Sequence, residues 1–155
     1  MPENPHGYWL AAVVVLGALC PNAFGQLPAA KTEGAATYLS GGIGDDEEIK
    51  IGRAAKDYGV LLEFAEVERG TVHGRWSSDV KIVVKSGANI VRGTTSDGPL
   101  MLIRLKPSSY TVDAERGGVR QGKRIEVKAN ALVRERFFWI VDASLTPRSI
   151  AQRIP

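Results

Sequence analysis

The residues best suited to chemistry lie in one stretch, residues 66–78, where Arg69, His73, Arg75 and Trp76 stand among glycines. Long connections carry function more often than short ones. A Trp beside an Arg can stack on a sugar ring or meet an anionic group. We therefore take these four residues as the candidate ligand surface. The alternative is that Trp76 folds back over an edge of the fold, because large aromatic side chains are usually well buried.

Catalytic chemistry is not supported by the same residues. His73 is the only histidine after residue 25, whereas a zinc site needs three converging protein ligands. The serines fall in predicted turns and have no identifiable activating base. We expect a protein that is not an enzyme, with no catalytic residue, no cofactor and no metal site.

The run of carboxylates Asp45, Asp46, Glu47 and Glu48 is a second candidate, this time for calcium. Calcium loops alternate acidic positions and add a distant Glu, whereas consecutive carboxylates fan around a helix. Acidic residues are favourable in the first turn of a helix, because free N–H groups and the positive end of the helix dipole lie there. The run therefore predicts the start of a short helix over residues 45–57.

The rest of the chain shows the pattern of a β-protein. Short apolar or alternating runs are separated by Gly, Pro, Ser and Asp clusters at intervals of roughly ten residues. The runs predict seven strands, at residues 60–65, 80–84, 89–95, 100–105, 110–115, 120–128 and 134–141. The fourth and the last are apolar on both faces, which is typical of a strand that is covered on both sides.

These elements predict one domain of the mainly β class. Residues 26–155 are enough for a single hydrophobic core. We predict a seven-stranded antiparallel β-sandwich with one short N-terminal helix. The alternating strands direct Val112 and Ile125 into a core between two facing sheets.

Several turns and strand starts resemble a known family. The residues concerned are Thr95-x-Asp97-Gly98, Leu105-x-Pro107-x-x-Tyr110-x-Val112-x-Ala114 and Gly117-Gly118. Together they resemble the carboxypeptidase regulatory-like domain of small secreted proteobacterial proteins, over residues 38–141. The resemblance implies a transthyretin-like, prealbumin-type β-sandwich without chemistry of its own. It also implies a structural Tyr110, whose ring lies in the core and whose hydroxyl ties the backbone of the turn. One departure is Ser108, where the family usually has Gly.

The first 25 residues are typical of a secretory signal peptide. Residues 10–19 form an unbroken apolar run, and Ala23-Phe24-Gly25 predicts cleavage after Gly25. A ten-residue helix spans about 15 Å, roughly half of a bilayer core, so we expect no stable membrane span after cleavage.

The signal peptide sets the predicted domain order. Residues 1–25 form the signal peptide, residues 26–37 a flexible tether, residues 38–141 the β-sandwich domain and residues 142–155 a C-terminal tail. Cys20 follows a Leu instead of the small residue that lipoprotein processing prefers, so lipidation is only the alternative to cleavage after Gly25. Cleavage there removes the only cysteine, and a secreted chain without disulfides suits the bacterial periplasm.

The function predicted from the sequence is that of a non-catalytic binding module, periplasmic or secreted. The formal net charge is +3, and the interleaved basic and acidic residues are typical of a solvated surface. The periplasm offers no routine nucleic acid, so we expect no nucleic-acid partner. The predicted partner is an envelope protein or an anionic envelope component. A carbohydrate-binding module is the alternative, although it would expose two or three coplanar aromatic rings and only Trp76 qualifies. A third interpretation is a transthyretin-like hydrolase, whose closing Tyr-Arg-Gly-Ser motif this chain lacks. The oligomeric state is left open.

Overall fold

The computed structural model describes residues 27–33 and 36–142. The predicted signal peptide and all of the predicted tail except Asp142 lie outside the described residues. The described part contains ten strands and one helix: β1 Lys31–Glu33, β2 Ala36–Gly41, α1 Asp45–Tyr58, β3 Gly59–Glu68, β4 Gly74–Trp76, β5 Lys81–Ser86, β6 Asn89–Thr95, β7 Leu100–Arg104, β8 Ser108–Arg116, β9 Val119–Val127 and β10 Val133–Val141.

The strands form two sheets. One has the order β1-β2-β7-β3-β10, with β4 paired to β3 beyond the end of β7, and the other has the order β6-β5-β8-β9. Buried side chains from both sheets make up one cluster, which includes Phe64 and Phe137 from the first sheet and Ile82, Val112 and Ile125 from the second. Two sheets enclosing one core confirm the mainly β, sandwich-like class.

The prediction of seven antiparallel strands is wrong in two respects. The described residues contain ten strands, and β10 runs parallel to β3. The additional strands are β1, β2 and β4, of which β1 and β4 have three residues each. Such short strands carry too few side chains for a period-two pattern to stand out. Strand β1 lies within the range that the sequence predicts as a tether, where it pairs with β2.

Helix α1 agrees with the prediction for residues 45–57 to within one residue, and its first turn is acidic. The Glu47 carboxylate accepts hydrogen bonds from the backbone N–H groups of Gly42 and Ile43, at 3.0 and 2.8 Å. The helix ends at Tyr58 and is capped by Gly59, whose left-handed conformation (φ 88°) is one that glycine adopts readily. Glu47 thus holds the backbone that leads into the helix, no side chain among the described residues caps the N-terminus at Gly44, and the four carboxylates lie at the positive end of the helix dipole.

The helix covers the outer face of the larger sheet, the face turned away from the sandwich core. Its buried Ile51 and Ala55 pack on Leu61 and Leu102 of the sheet. Strand β7 is consequently buried on both faces, as its sequence predicts. The fold therefore has three layers, and the helix shields only that part of the outer face that lies next to β2, β7 and the first half of β3.

Two motifs of the family resemblance have a structural role. The hydroxyl of Tyr110 donates a hydrogen bond to the carbonyl oxygen of Lys106 at 2.9 Å, and its ring is buried, which agrees with the role that the resemblance implies. Gly98 approaches Gly41 so closely that a Cβ atom at position 98 would overlap the Gly41 carbonyl group. Glycine is therefore required at this crossing of two backbones.

Candidate functional site: the outer face beside residues 66–78

The predicted loop at residues 66–78 is a hairpin in the structure. Strand β3 continues to Glu68, the chain turns, and β4 returns antiparallel to it, with Ala65 opposite Trp76 and Glu66 opposite Arg75. The turn is held by a hydrogen bond from the Glu68 N–H to the carbonyl oxygen of His73 at 3.2 Å. Because neighbouring residues of a strand point to opposite faces, this pairing separates Arg75 from Trp76.

Arg75 points to the inner face, where it belongs to an ion-pair network around Glu66. Glu66 is only 7% exposed and accepts from Nε of Arg75 at 2.7 Å and from Nε of Arg116 at 2.6 Å. Arg116 also donates to the carbonyl oxygen of Ser78. The network joins β3, β4 and β8, so it ties the two sheets together at this end of the sandwich.

The surroundings of Glu66 shift its titration. Burial alone would raise the pKa of the Glu66 carboxyl group, but the hydrogen bonds and positive charges of Arg116 and Arg75 outweigh it, and the pKa is lowered from its ordinary value. Glu66 therefore stays ionised in the folded protein at neutral pH. We assign Arg75 a structural role on this ground.

The other predicted residues do not form one site. Arg69 makes an exposed ion pair with Asp142, with 2.6 Å between Nε and Oδ1. His73 is exposed in the turn. Trp76 is 47% exposed, so it neither projects freely nor folds back into the edge completely. The structure thus disperses the candidate ligand surface and leaves Trp76 as its apolar member.

A contiguous apolar patch surrounds Trp76 on the outer face of the larger sheet. Ala65 of β3 lies between Trp76 of β4 and Phe138 of β10, and in the next row Val67 lies opposite Ile140 of β10. Phe138 is 45% exposed and Ile140 is 65% exposed. We call these five residues the apolar patch. It lies beyond the rows that α1 covers, since α1 packs against the part of β3 around Leu61.

The sequence gives a misleading prediction for β10. Its apolar run suggests burial on both faces, and Phe137 and Trp139 are indeed buried at 0% and 4% exposure. Phe138 and Ile140 are not, because β10 is the edge strand of its sheet and the helix does not extend over it. The sequence does contain one indication that the outer face of β10 is exposed. Arg134 and Arg136 alternate in step with Phe138 and Ile140 and therefore share their face.

Charged side chains border the patch on the side of the helix. Glu63, only 5% exposed, pairs with Arg136 at 2.6 Å and with Arg134 at 3.6 Å. The guanidinium of Arg136 also lies 5.7 Å from the centroid of the Phe138 ring. Two arginines therefore share one carboxylate at this border, so only one of their two positive charges is neutralised, and the cation–π contact adds only about 0.5–1 kcal/mol at such an exposed position.

A groove of about 420 Å³ runs beside the edge of β10. Its lining is mainly apolar, with a few polar groups at one side: Glu66, Arg116, Gly117, Val119, Gln121, Phe138, Trp139, Ile140 and Val141. Side chains of β9 reach the carbonyl oxygens of β10 here: Gln121 donates to Phe138 at 2.5 Å and Lys123 to Arg136 at 2.8 Å. The groove is therefore bounded by β9 and by a partly shielded strand edge.

The described residues hold no group of three or more His, Cys, Asp or Glu side chains arranged to bind a metal ion. Among the same residues, no helix has the length and apolar character needed to cross a membrane. Comparison of the sequence with protein-family models finds none that matches, and comparison with curated proteins finds no significant match.

Proposed function

We propose that this chain is a non-catalytic, periplasmic binding module that takes a protein partner of the cell envelope on the apolar patch. The observation that carries the proposal is the exposure of Trp76, Phe138 and Ile140, at 47%, 45% and 65%, on one face of the larger sheet. Exposed apolar patches that adjoin polar residues are typical of interaction sites, and a few aromatic residues usually supply most of the binding energy.

The charges near the patch favour a protein over an anionic envelope component. Arg136 and Arg69 each have a carboxylate within 2.6 Å, and the Glu63 carboxylate that contacts Arg136 also lies 3.6 Å from Arg134. An anionic ligand would have to compete with those carboxylates, whereas a partner with an apolar surface would not. The arginines then serve as a polar rim that excludes water from the apolar centre.

A carbohydrate-binding module is the second candidate, and one observation favours it. Phe138 stands on the same face as Trp76, with one strand between them, so two exposed aromatic rings are present where the sequence pattern offered one. Against it, Ile140 is the most exposed member of the patch and offers no hydrogen bond to a hydroxyl-rich ligand. We rank a protein partner first for this reason.

The finer family assignment belongs to the same proposal. We infer a carboxypeptidase regulatory-like domain with a prealbumin-type arrangement, exported by a signal peptide that is cleaved after Gly25. The Tyr110 contact and the close approach at Gly98 support this assignment. Neither motif brings reactive groups together, and the hydrolase interpretation has no support beyond the class of fold.

Photo-crosslinking in cells tests the proposed function. A photoreactive residue at position 140 leaves Trp76 and Phe138 intact, and the same residue at Ile90, 67% exposed on the opposite sheet, is the matched control. We expect one crosslinked envelope protein from position 140 that is absent from position 90. Trp76→Ala should reduce its yield, because loss of a central aromatic side chain commonly costs about 2 kcal/mol, close to a thirty-fold loss of affinity.

Two results would count against the protein partner. Equal crosslinking patterns from positions 140 and 90 would show that the patch has no preferred partner. Crosslinking to glycan alone, or retention of the purified chain on an envelope polysaccharide that Trp76→Ala abolishes, would move the proposal to the carbohydrate-binding class.

A further inference from the structure

The outer face of β10 carries a self-complementary sequence of side chains. Its even-numbered residues are Arg134, Arg136, Phe138 and Ile140, followed directly after the strand by Asp142. Cations therefore lie at one end, an anion at the other and two apolar residues between them. Two copies of such a strand placed antiparallel bring unlike charges together at both ends and apolar residues together in the middle.

The backbone of β10 directs N–H and C=O groups of its even-numbered residues outward, as such a pairing requires. The carbonyl oxygens of Arg136 and Phe138 accept from side chains of β9, whereas the carbonyl oxygen of Val141 accepts from the N–H of Arg69 at the end of β3. Even-numbered residues therefore direct their N–H and C=O groups away from β3, toward the edge of the sheet, which side chains of β9 shield in part. An edge strand with such groups is a template for another strand.

We propose that a second copy of this chain pairs its β10 antiparallel to this β10, with Phe138 opposite Ile140 of the second copy and Arg136 opposite Asp142 of the second copy. The two-fold axis then passes beside Trp139. The interface is of the isologous kind, in which the same surface is used by both subunits.

Neighbouring registers fit less well. A pairing of Phe138 with Phe138 of the second copy would set Arg136 opposite Ile140. A pairing of Ile140 with Ile140 would set Phe138 opposite Asp142. A shift by a single residue would turn the outer face of one copy to the inner face of the other. Cross-strand charge pairs and apolar pairs both stabilise antiparallel strands, and the proposed register forms such pairs at four positions at once.

The pairing exchanges some contacts for others. In the dimer, the side chains of Gln121 and Lys123 lose their hydrogen bonds to the carbonyl oxygens of Phe138 and Arg136, or share these oxygens with the second copy. Backbone N–H groups of the second copy take those oxygens instead. Arg136 and Asp142 keep their own partners, Glu63 and Arg69, so each end of the interface becomes a four-membered charge network.

One consequence concerns the apolar patch. Across the dimer, the row of Trp76, Ala65 and Phe138 continues into Ile140 and Val67 of the second copy. The two patches merge into one strip with a Trp76 near each end. That the strip binds a larger or two-fold partner rests on the proposed function, whereas the pairing itself does not.

Cysteine crosslinking tests the pairing in the full chain carrying Cys20→Ser, which has no other cysteine. Directly opposite residues whose backbones exchange hydrogen bonds have Cα atoms about 5.5 Å apart, a separation that a disulfide spans. We expect a mixture of Phe138→Cys and Ile140→Cys chains to form crosslinked dimers at several times the yield of either variant alone. An Ile90→Cys chain is the control for random collision.

Sedimentation of the unmodified chain provides the second readout, because either substitution also alters the apolar patch. We expect a dimer at high protein concentration. A monomer at the highest concentration attainable would overturn the proposal, and so would a dimer whose single variants crosslink as well as the mixture. A monomeric chain that still captures its partner through position 140 would leave the proposed function standing, while a correct dimer without any partner would refute only the function.

Discussion

Replacing Glu66 by Gln removes the carboxylate that joins Arg75 and Arg116 at the end of the sandwich. The side chain of Glu66 is 9% exposed, that of Arg116 is 27% exposed and that of Arg75 is 60% exposed. Breaking a fully buried ion pair costs roughly 3–5 kcal/mol. Because Arg75 regains water easily and Arg116 does so in part, we expect Glu66→Gln to lower the free energy of unfolding by about 2–3 kcal/mol.

The pH dependence of this loss gives a sharper test. The pKa of Glu66 is lower in the folded chain than its ordinary value of 4.5. The unfolded chain therefore binds more protons in the interval between the two pKa values, and stability rises with pH there. The contribution of Glu66 to the free energy of unfolding is complete above pH 4.5, and it is lost as the pH falls through the pKa that Glu66 has in the folded chain. The difference in the free energy of unfolding between wild type and Glu66→Gln should therefore shrink as the pH falls.

Urea unfolding followed by circular dichroism at several pH values measures both effects. Glu126→Gln is the matched control, since Glu126 pairs with Lys128 at 4.0 Å while both side chains are about two-thirds exposed. An exposed pair of this kind contributes about 0–1 kcal/mol. Equal stability of the Glu66→Gln and Glu126→Gln chains at neutral pH would refute the assignment of Glu66 as an inter-sheet tie. A Glu66→Gln difference that does not shrink as the pH is lowered below 4.5 would refute the assignment of a lowered pKa to Glu66.

Further predictions concern the fold and the export of the chain. Gly98→Ala should destabilise the domain by about 1–3 kcal/mol in thermal or urea unfolding, because its Cβ would overlap the Gly41 carbonyl, whereas Gly93→Ala meets open space and should change little. Ile51→Ala should cost about 2–5 kcal/mol, because it empties the contact between helix and sheet. N-terminal sequencing of the exported protein should begin at Gln26, and a product that retains residues 1–25 would contradict cleavage after Gly25.

Much of the fold could be predicted because one-sided burial leaves a clear pattern. Tyr110, Val112 and Ala114 alternate with polar residues, and they face the core as the alternation indicates. The carboxylates at the start of α1 were equally informative, since their position relative to the helix dipole depends on local sequence alone. Local patterns of this kind report which side of an element is buried.

The arrangement of distant elements could not be predicted in the same way. Strands β3 and β10 lie side by side in parallel, and this pairing brings Glu63 and Arg136 together across 73 positions of sequence. Apart from the pair Arg134 and Arg136, nothing in the local composition of either strand indicates that β10 occupies an edge. The apolar run at 137–141 therefore looks the same whether one face or both faces are covered.

The candidate site was predicted only in part, because it too depends on the pairing of strands that are distant in sequence. The sequence directed attention to residues 66–78, and Trp76 does belong to the apolar patch. Arg75 and Trp76, adjacent in sequence, look like partners in a loop, but the short strand β4 turns them to opposite faces. Phe138 and Ile140 come from the far end of the chain, so only the pairing with β3 brings them to Trp76.

The central claim, that the apolar patch is free in the isolated chain and occupied in the cell, can be measured by thiol labelling. Cysteine at position 140 and cysteine at position 90, each in the Cys20→Ser chain, are treated with a small maleimide in dilute purified protein and in intact cells. We predict similar labelling of both positions in the purified protein, and protection of position 140 alone in cells that is relieved by Trp76→Ala. Equal labelling of the two positions in cells would contradict the account.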